Sequence, residues 1–473
     1  MSKREKRNQI PPAAIAAQRD IAIEIAALHR GKGVTPLAFV DTYGCQQNES
    51  DSETIRGYLR DMGYAFTDSE AAADLIIINT CAVRESAENR VWGNVGNLIH
   101  TKRDKPEQLI VLCGCMAQQE SVAKKVETSF RHVDLVFGPH ALWKLPELLK
   151  RLMTETGRIV EISNPDGVIA ENLPSLRTEG PSAWLTIMYG CNNYCSYCIV
   201  PYVRGRERSR EPERILADVT RLVADGVKDI TLLGQNVNSY GQDLDDTVDF
   251  AWLLEQINAI EGAFLIRFMT SHPKDAGERL FQVMARCEKV APHIHLPVQA
   301  GNTRVLEAMN RGYTKEGYLD LITTARRHVP DMILTSDIIV GFPGETDAEF
   351  EDTLDVLEQV QFDALFTFIF SPRSGTPAAE MDDPFTRAEK QVRFDRLTAL
   401  QNDISARRHQ AYVGKQVRVL VDAVQDDTRY PLKARTPGGR LVRLAGDATL
   451  VGQFVDVTIT SASIWSLTGE LVR

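Results

Sequence analysis

The chain has 473 residues, too many for one ordinary hydrophobic core, so its length predicts two or three domains. A hydrophobic content of 43% and a charged content of 25% are those of a soluble globular protein, and no apolar run is long enough to cross a bilayer. The net charge of −10 argues against a wholly basic, nucleic-acid-binding surface. We therefore expect a cytoplasmic protein with no membrane association, whose cysteines are reduced and open to metal binding.

The first block, residues 36–152, alternates apolar runs with segments of helical spacing. The runs are LAFV, DLIII, QLIVL and VDLVF, and each precedes one helical pattern. This alternation is typical of parallel β-α-β units, so it predicts a doubly wound parallel sheet. Residues 1–35 are expected to form a flexible N-terminal arm, with a short helix possible around residues 20–30.

Two further blocks follow a linker at residues 153–182, which is rich in Pro, Gly, Asn and Ser. The block at residues 183–408 again alternates, and it predicts a partial (β/α)6 barrel. Its six candidate strands are residues 184–189, 229–233, 265–270, 293–297, 333–340 and 364–370. The last block, residues 409–473, has short valine-rich runs separated by glycines, which predicts a small all-β barrel.

Three cysteines lie within eight residues directly after the first strand of the central block. Cys191, Cys195 and Cys198 have the spacing C-x3-C-x2-C. Structural zinc sites commonly take four ligands on two paired arms, and no second arm of matching spacing follows. Three thiolates on one loop suit a [4Fe-4S] cluster whose fourth iron is open to another ligand. A zinc-bound, non-catalytic RNA-binding protein is the alternative of a different class.

This motif, with an aromatic residue at Tyr197, resembles that of the radical S-adenosylmethionine (SAM) enzymes. The resemblance implies that the open iron binds SAM and that its cleavage gives a 5′-deoxyadenosyl radical. Segments at three other strand ends fit the cofactor-binding positions of that superfamily: LLGQN, HLPVQAGN and SDIIVGFPGET. The cofactor-binding candidates are therefore Tyr197, Gly234, Gln235, Gln299, Asp337 and Gly341.

A second set of cysteines follows three strands of the first block. Cys45, Cys81 and Cys115 end the segments TYGC, INTC and CGC. Because the carboxyl ends of parallel strands meet at one edge of a sheet, we expect the three sulfurs to converge. Cys113 falls within its strand and is interpreted as buried packing. Cys287, on a predicted helix, is interpreted as a core residue.

Two sets of three cysteines followed by a small β-barrel resemble the methylthiotransferase family. The resemblance implies a cluster domain at residues 36–152, a radical SAM core at 183–408 and an RNA-binding TRAM barrel at 409–473. It also implies two [4Fe-4S] clusters and two SAM molecules per turnover, one as methyl donor and one as radical source. The catalytic groups are then the cluster ligands alone.

Basic residues indicate an RNA substrate. Residues 401–443 hold nine Arg and Lys against four Asp, and the segment RGRERSR adds four arginines beside the barrel mouth. A solvated charged face is the alternative interpretation of each patch. The candidate RNA contacts are Arg204, Arg206, Arg418, Lys433 and Arg435.

Four local sequence motifs narrow the resemblance to one branch of the family. TYGCQQN, NTCAVRESAENR, CIVPYVRGRERSR and FSPRSGTPAAEM are most similar to the branch that methylthiolates C2 of N6-(dimethylallyl)adenosine in tRNA. Gln47 and the segment QAGN depart from that branch, which leaves substrate detail open. The sibling enzymes, which act on threonylcarbamoyladenosine in tRNA or on a ribosomal-protein aspartate, are the nearest alternative. We expect a monomer that takes electrons from a donor such as flavodoxin or ferredoxin.

Overall fold

The computed structural model describes residues 9–83, 85–162, 167–177 and 180–472, without the side chains of residues 85–87. The chain divides into two compact units. The first comprises residues 1–178, 188–192 and 198–210, and the second residues 179–187, 193–197 and 211–473. Within the described ranges, every helix is too short or too polar to cross a membrane.

The first unit is built on six parallel strands in the order β2-β1-β3-β4-β5-β6. The central strands β3 and β4 are buried along almost their whole length, and Ile77 of β3 lies opposite Val40 of β1 and Val111 of β4. Its elements are α1 (Pro12–Gly31), β1 (Leu37–Thr42), α2 (Gln46–Asp61), β2 (Ala65–Phe66), β3 (Leu75–Thr80), α3 (Glu85–Asp104), β4 (Leu109–Gly114), α4 (Glu120–Ser129), β5 (Leu135–Phe137), α5 (Leu145–Thr154) and β6 (Ile159–Glu161).

Helices cover both faces of this sheet, so the predicted doubly wound fold is confirmed. Alternate residues of a strand point to opposite faces, which sends Ile77 into one core and Ile76 and Ile78 into the other. The first core includes residues of α1, α2 and α5, and the second includes residues of α3 and α4.

The prediction of a flexible arm over residues 1–35 is wrong for α1. Ile15, Ala22, Ile25 and Ala26 recur at helical spacing and are buried, and Ala22 and Ile25 belong to the first core. Residues 1–8 lie outside the described residues. The charged and proline-bearing start of the chain hid this periodicity, because the apolar stripe begins only after Pro12.

The predicted linker, residues 153–182, is also partly wrong. Its residues Ile159–Glu161 form β6, which pairs in parallel with β5. Glu171 is buried and forms an ion pair with Arg210 at 2.6 Å. The Pro- and Gly-rich composition correctly indicated irregular backbone, but composition does not report whether irregular backbone packs.

The chain between residues 182 and 210 contributes to both units. Strand β7 (Ser182–Thr186) starts the second unit. A short antiparallel ribbon, β8 (Met188–Tyr189) with β9 (Arg208–Ser209), encloses helix α6 (Val200–Arg204) in the first unit.

The second unit contains the partial barrel. Its six parallel strands lie in the orders β7-β10-β11 and β12-β13-β14, and the amide of Ser271 after β11 donates to the carbonyl of His295 on β12 at 3.4 Å. The predicted partial (β/α)6 architecture is confirmed. The elements are α7 (Pro212–Ala224), β10 (Asp229–Leu233), α8 (Phe250–Asn258), β11 (Leu265–Phe268), α9 (Glu278–Arg286), β12 (His293–His295), α10 (Thr303–Ala308), α11 (Lys315–His328), β13 (Ile333–Val340), α12 (Asp347–Val360) and β14 (Ala364–Ile369).

A long helix, α13 (Arg387–Gln410), leads into a closed five-stranded barrel, which confirms the predicted C-terminal fold. The strand order is β15-β16-β17-β19-β18. A core of Val, Leu, Ile and Ala side chains fills it. The strands are β15 (Gln416–Val424), β16 (Leu432–Arg435), β17 (Leu441–Leu444), β18 (Phe454–Ala462) and β19 (Leu467–Leu471).

Candidate functional site

Cys45, Cys81 and Cys115 lie together at the carboxyl edge of the first sheet. The thiols of Cys45 and Cys81 are hydrogen-bonded to each other. Oδ1 of Asn48 lies 3.7 Å from Sγ of Cys45 and 3.9 Å from Sγ of Cys115. The convergence expected from the three strand ends is therefore present. Cys113 lies within β4 and is buried, in line with the packing role predicted for it.

Two asparagines hold the cysteine-bearing loops in place. Nδ2 of Asn48 donates to the carbonyls of Tyr43 at 3.0 Å and Thr80 at 2.8 Å, and Nδ2 of Asn79 donates to the carbonyl of Asn48 at 2.8 Å. Both asparagines are almost fully buried. Neither asparagine was predicted from the sequence. The available signal was an amide residue three positions after Cys45 and two before Cys81, since buried amides in loops usually serve backbone groups.

Glycines precede two of these cysteines because no side chain fits there. At Gly44 φ is +132°, and a Cβ would lie 2.4 Å from Cβ of Cys81. At Gly114 φ is +94°, and a Cβ would lie 2.4 Å from the carbonyl oxygen of Thr80. Both conformations favour glycine, so these two positions allow the loops to approach each other.

The three thiols differ in acidity. The hydrogen bond from Cys81 lowers the pKa of Cys45 to about 6, and the same bond raises the pKa of Cys81. Burial raises the pKa of Cys115 to about 11, although the guanidinium of Arg204 opposes this effect. Thiolates are the metal-binding form of cysteine, so the set has one thiol that ionises readily and a cation beside another.

The donor set suits a cluster better than a single ion. Among the described residues, no three His, Cys, Asp or Glu side chains are arranged to hold one metal ion. In a [4Fe-4S] cluster each thiolate binds a different iron atom. Three thiols without a neighbouring imidazole or carboxylate ligand are the chemistry that such a cluster takes.

The expectation that Arg204 contacts RNA is wrong. Arg204 is only 4% exposed, and its Nε donates to Sγ of Cys115 at 2.9 Å. Its Nη2 pairs with Oδ2 of Asp51 at 2.7 Å. Arg208 and Arg210 of the same segment are buried too, and Arg206 alone of the four arginines is exposed. A run of arginines in sequence does not distinguish a surface patch from buried ion pairs.

In the second unit, Cys195 is buried against a second arginine. Nη1 of Arg311 donates to Sγ of Cys195 at 3.3 Å, and its Nη2 donates to the carbonyl of Pro297 at 2.8 Å. Ser196 anchors the same segment through its amide, which donates to the carbonyl of Met309. Arg311 was missed because nothing in its local sequence separates it from a surface arginine. Cys287 is buried just after α9, rather than within a helix.

Asp337 lies within β13, and the other predicted cofactor-binding residues follow strands of the second unit, at the edge where β/α barrels keep their chemistry. Tyr197 packs on an apolar cluster that includes Met309 and Phe342. Gln299 adopts φ +71° and pairs its backbone with β13, and Gly341 adopts φ +70° after that strand. Oδ1 of Asp337 lies 3.5 Å from Nε2 of His295. Gly234 and Gln235 directly follow β10.

Five buried polar atoms after β10 and β11 lack a protein partner among the described residues. They are Oδ1 of Asn236 and both amide atoms of Asn238 after β10 and, after β11, Oγ of Ser271 and Nε2 of His272. Burial lowers the pKa of His272 to about 2, so its ring is neutral. Because unpaired buried polar atoms are costly, their clustering fits a polar cofactor or substrate at this edge. These residues were not predicted from the sequence.

The C-terminal barrel presents some of the predicted RNA contacts. Arg418 is exposed and Lys433 is half-buried, whereas the exposed Arg435 pairs with Asp422 at 2.8 Å. Arg440, part of the same basic run, is buried in an ion pair with Asp363.

Comparison with known proteins identifies the chain. Residues 38–138 match uncharacterized protein family UPF0004, residues 185–357 match the radical SAM superfamily, and residues 410–472 match the TRAM domain. A protein of Acetivibrio thermocellus named tRNA-2-methylthio-N(6)-dimethylallyladenosine synthase is 48% identical over 480 residues, with 100% of both chains covered. The chain belongs to this synthase family. A synthase of the same name from Alkaliphilus oremlandii is also 48% identical, over 473 residues and 100% of both chains.

Family membership makes the chain a tRNA methylthiotransferase of the radical SAM superfamily, an enzyme that uses SAM and a [4Fe-4S] cluster. This excludes the zinc-bound, non-catalytic alternative. Among solved structures, the radical SAM methyltransferase TsrM of Kitasatospora setae is similar, with a TM-score of 0.55 and 16% identity over 73% of this chain and 75% of that one. That likeness concerns the fold alone.

Proposed function

We propose that the enzyme methylthiolates C2 of N6-(dimethylallyl)adenosine at position 37 of tRNA, giving 2-methylthio-N6-(dimethylallyl)adenosine. The relatives that match the whole chain carry the name of this synthase. The observation that carries the proposal is that Cys45 and Cys115 meet at Asn48 and Cys81 lies beside Cys45, in a chain that also has the C-x3-C-x2-C motif. The C-x3-C-x2-C cysteines serve radical formation, and the three N-terminal cysteines serve sulfur insertion.

The C-x3-C-x2-C motif would serve the radical chemistry. When bound through Cys191, Cys195 and Cys198, a [4Fe-4S] cluster supplies the electron that cleaves SAM. Arg311 holds Cys195 in place through hydrogen bonds to its sulfur and to Pro297. Tyr197, Gly234, Gln235, Gln299, Asp337 and Gly341 stay candidates for cofactor binding at the same edge.

The residues of the first unit would hold a second [4Fe-4S] cluster through Cys45, Cys81 and Cys115. Asn48 and Asn79 keep the three loops together, and Gly44 and Gly114 let them approach. Each turnover uses two SAM molecules, of which one donates the methyl group and the other gives the radical. The electron donor is a flavodoxin or ferredoxin, and the enzyme is a cytoplasmic monomer.

The RNA would be held by cations of the C-terminal barrel. Arg418 and Lys433 are accessible there, and Arg206 is exposed in the first unit. Proteins read RNA mainly in single-stranded loops, and a target base must leave its stack to reach a buried reaction centre. An anticodon-loop adenosine satisfies both requirements.

The proposal is tested with the anaerobically purified full chain and with cells that lack the gene. We expect roughly eight irons per chain from two clusters. Cys191→Ala, Cys195→Ala or Cys198→Ala is expected to abolish 5′-deoxyadenosine formation from SAM. Cys45→Ala, Cys81→Ala or Cys115→Ala is expected to spare this cleavage and stop methylthio insertion. Product formation by the second group would contradict the role of that cluster.

Substrate choice is tested by nucleoside analysis of bulk tRNA from the deletion strain. Loss of 2-methylthio-N6-(dimethylallyl)adenosine, restored by the gene and not by its Cys45→Ala form, is the expected result. An unchanged level of this nucleoside, with loss of 2-methylthio-threonylcarbamoyladenosine or of the methylthio-aspartate, would assign the enzyme to a sibling reaction.

A further inference from the structure

Helix α6 carries an arginine to one of the N-terminal cysteines. The helix begins two residues after Cys198 and ends at Arg204, whose Nε lies 2.9 Å from Sγ of Cys115. Val203 of this helix and Ile199, which directly precedes it, pack with Cys115 in a buried apolar cluster. The contact between guanidinium and sulfur is therefore shielded from water, and hydrogen bonds and charges act more strongly there than at a surface.

The guanidinium is held in one orientation. Its Nη2 donates to Oδ1 of Asn48 at 3.1 Å and pairs with Oδ2 of Asp51 at 2.7 Å. These contacts aim Nε at the sulfur of Cys115. A buried cation is costly unless it is paired and hydrogen-bonded, and both kinds of partner are present around Arg204.

We propose that Arg204 is a positioning residue that raises the reduction potential of the cluster bound by Cys45, Cys81 and Cys115. This inference rests on the proposed function, because it presupposes that cluster. Reduction adds negative charge to a cluster, so a cation and an N–H group directed at a ligand sulfur stabilise the reduced form. Asp51 opposes this effect through its own charge, so the two residues act on the potential in opposite directions.

The experiment uses the full chain with Cys191→Ala, Cys195→Ala and Cys198→Ala, so that only the N-terminal cluster is loaded. The potential is measured by anaerobic titration with dithionite and followed by electron paramagnetic resonance. With Arg204→Met added, the ratio of reduced to oxidised cluster at a fixed potential is expected to fall about tenfold, which is ~59 mV for one electron. With Asp51→Asn added, the potential is expected to rise.

Arg210→Met is the matched control, because Arg210 is also buried in this segment and pairs with Glu171. It is expected to leave the potential of the parent unchanged. A merely structural role for Arg204 would not give opposite shifts for Arg204→Met and Asp51→Asn. Equal potentials for Arg204→Met and the parent would overturn the inference.

Loss of iron has a different meaning in the parent and in the Arg204→Met variant. If the triple-cysteine parent binds no iron, the proposed second cluster is wrong, and the proposed function fails with it. If only the Arg204→Met variant loses its iron, the reduction potentials of the Arg204→Lys and Asp51→Asn variants test the inference. Arg204→Lys keeps the charge but loses the planar fork, so a smaller fall in potential is expected. Parental potentials in both of these variants would overturn the inference.

Discussion

The guanidinium of Arg311 donates to the sulfur of Cys195 across 3.3 Å, while its Nε donates to the hydroxyl of Tyr313 at 3.0 Å. Arg311 is 5% exposed, so the contact lies in the interior of the second unit. In each unit, then, a buried arginine donates to a cysteine sulfur: Arg204 to Cys115 and Arg311 to Cys195.

Arg311→Met is expected to lower stability by about 3 kcal/mol, since hydrogen bonds to charged groups contribute roughly 1.5–3 kcal/mol each. We also expect faster iron loss from the C-x3-C-x2-C loop and slower 5′-deoxyadenosine formation, measured by iron analysis and chromatography. The control is Arg304→Met, because Arg304 is an exposed arginine paired with Glu349. Equal effects of the two changes would show that the contact with Cys195 is unimportant.

Gly44→Ala is expected to displace the loop that carries Cys45, because the added Cβ would lie 2.4 Å from Cβ of Cys81. The iron content of the full chain should fall to about half, while SAM cleavage continues. Gly93→Ala is the control, since Gly93 lies in α3 with open space around it and alanine favours a helix by roughly 0.5–1 kcal/mol. A Gly44→Ala protein with its full iron content would contradict the prediction.

Asp363 joins the C-terminal barrel to the partial barrel. Its buried carboxylate accepts hydrogen bonds from Arg408 at 2.8 Å, from the amide of Leu334 at 2.8 Å and from Arg440. Asp363→Ala leaves two guanidinium groups without their carboxylate, so a loss of about 3–5 kcal/mol is expected in urea unfolding. Asp403→Ala, which breaks the exposed pair with Arg407, should cost about 0.5 kcal/mol or less. Similar losses for both would contradict this role.

Glu345 predicts a pH dependence of stability. Its carboxylate accepts a hydrogen bond from the amide of Gly341 at 2.7 Å, but burial raises its pKa from 4.5 to about 7. Between these values the folded state keeps a proton that the unfolded state has lost, so stability falls as the pH rises through this range. Glu345→Gln removes that fall. Its advantage over the wild type should grow by roughly 3 kcal/mol from pH 4.5 to above pH 7.

The measurement is denaturant unfolding at a series of pH values. Glu349→Gln is the reference with the opposite sign, because the hydrogen bond from Arg304 lowers the pKa of Glu349 to about 2. That carboxylate contributes stability above pH 4.5, so its replacement should destabilise the protein at neutral pH. Parallel pH profiles for the wild type and Glu345→Gln would refute the assignment.

Arg418→Ala with Lys433→Ala is expected to weaken tRNA binding without changing the iron content. Each lost phosphate contact should reduce the slope of log affinity against log salt by roughly 0.7–0.9. Arg396→Ala is the control, since Arg396 is an exposed arginine of α13 paired with Glu351. Point changes are preferable to removing residues 412–473, because the carbonyls of Thr436 and Pro437 accept hydrogen bonds from Arg267 of β11. Unchanged affinity in the double variant would contradict the role of these cations.

Local patterns identified most elements of the fold. Strands β10 and β13 match the expected ranges 229–233 and 333–340. Short β-branched runs bounded by turns indicate strands. The cluster motif could also be predicted locally, because C-x3-C-x2-C places three thiols on one loop. The convergence of the three strand-end cysteines followed from the geometry of parallel sheets, which holds whatever the side chains are.

The tertiary structure decided which polar residues are buried and what they contact. Arg204, Arg206, Arg208 and Arg210 are indistinguishable in sequence, yet only Arg206 is exposed. Burial of a guanidinium depends on partners distant in sequence, such as Asp51 and Cys115 for Arg204. The sequence by itself thus determined the thiols and the strands that carry them, through patterns a few residues long. Only the folded chain decided which cations and amides surround those thiols, because such contacts join residues distant in sequence, 89 positions apart for Arg204 and Cys115 and 156 for Arg204 and Asn48.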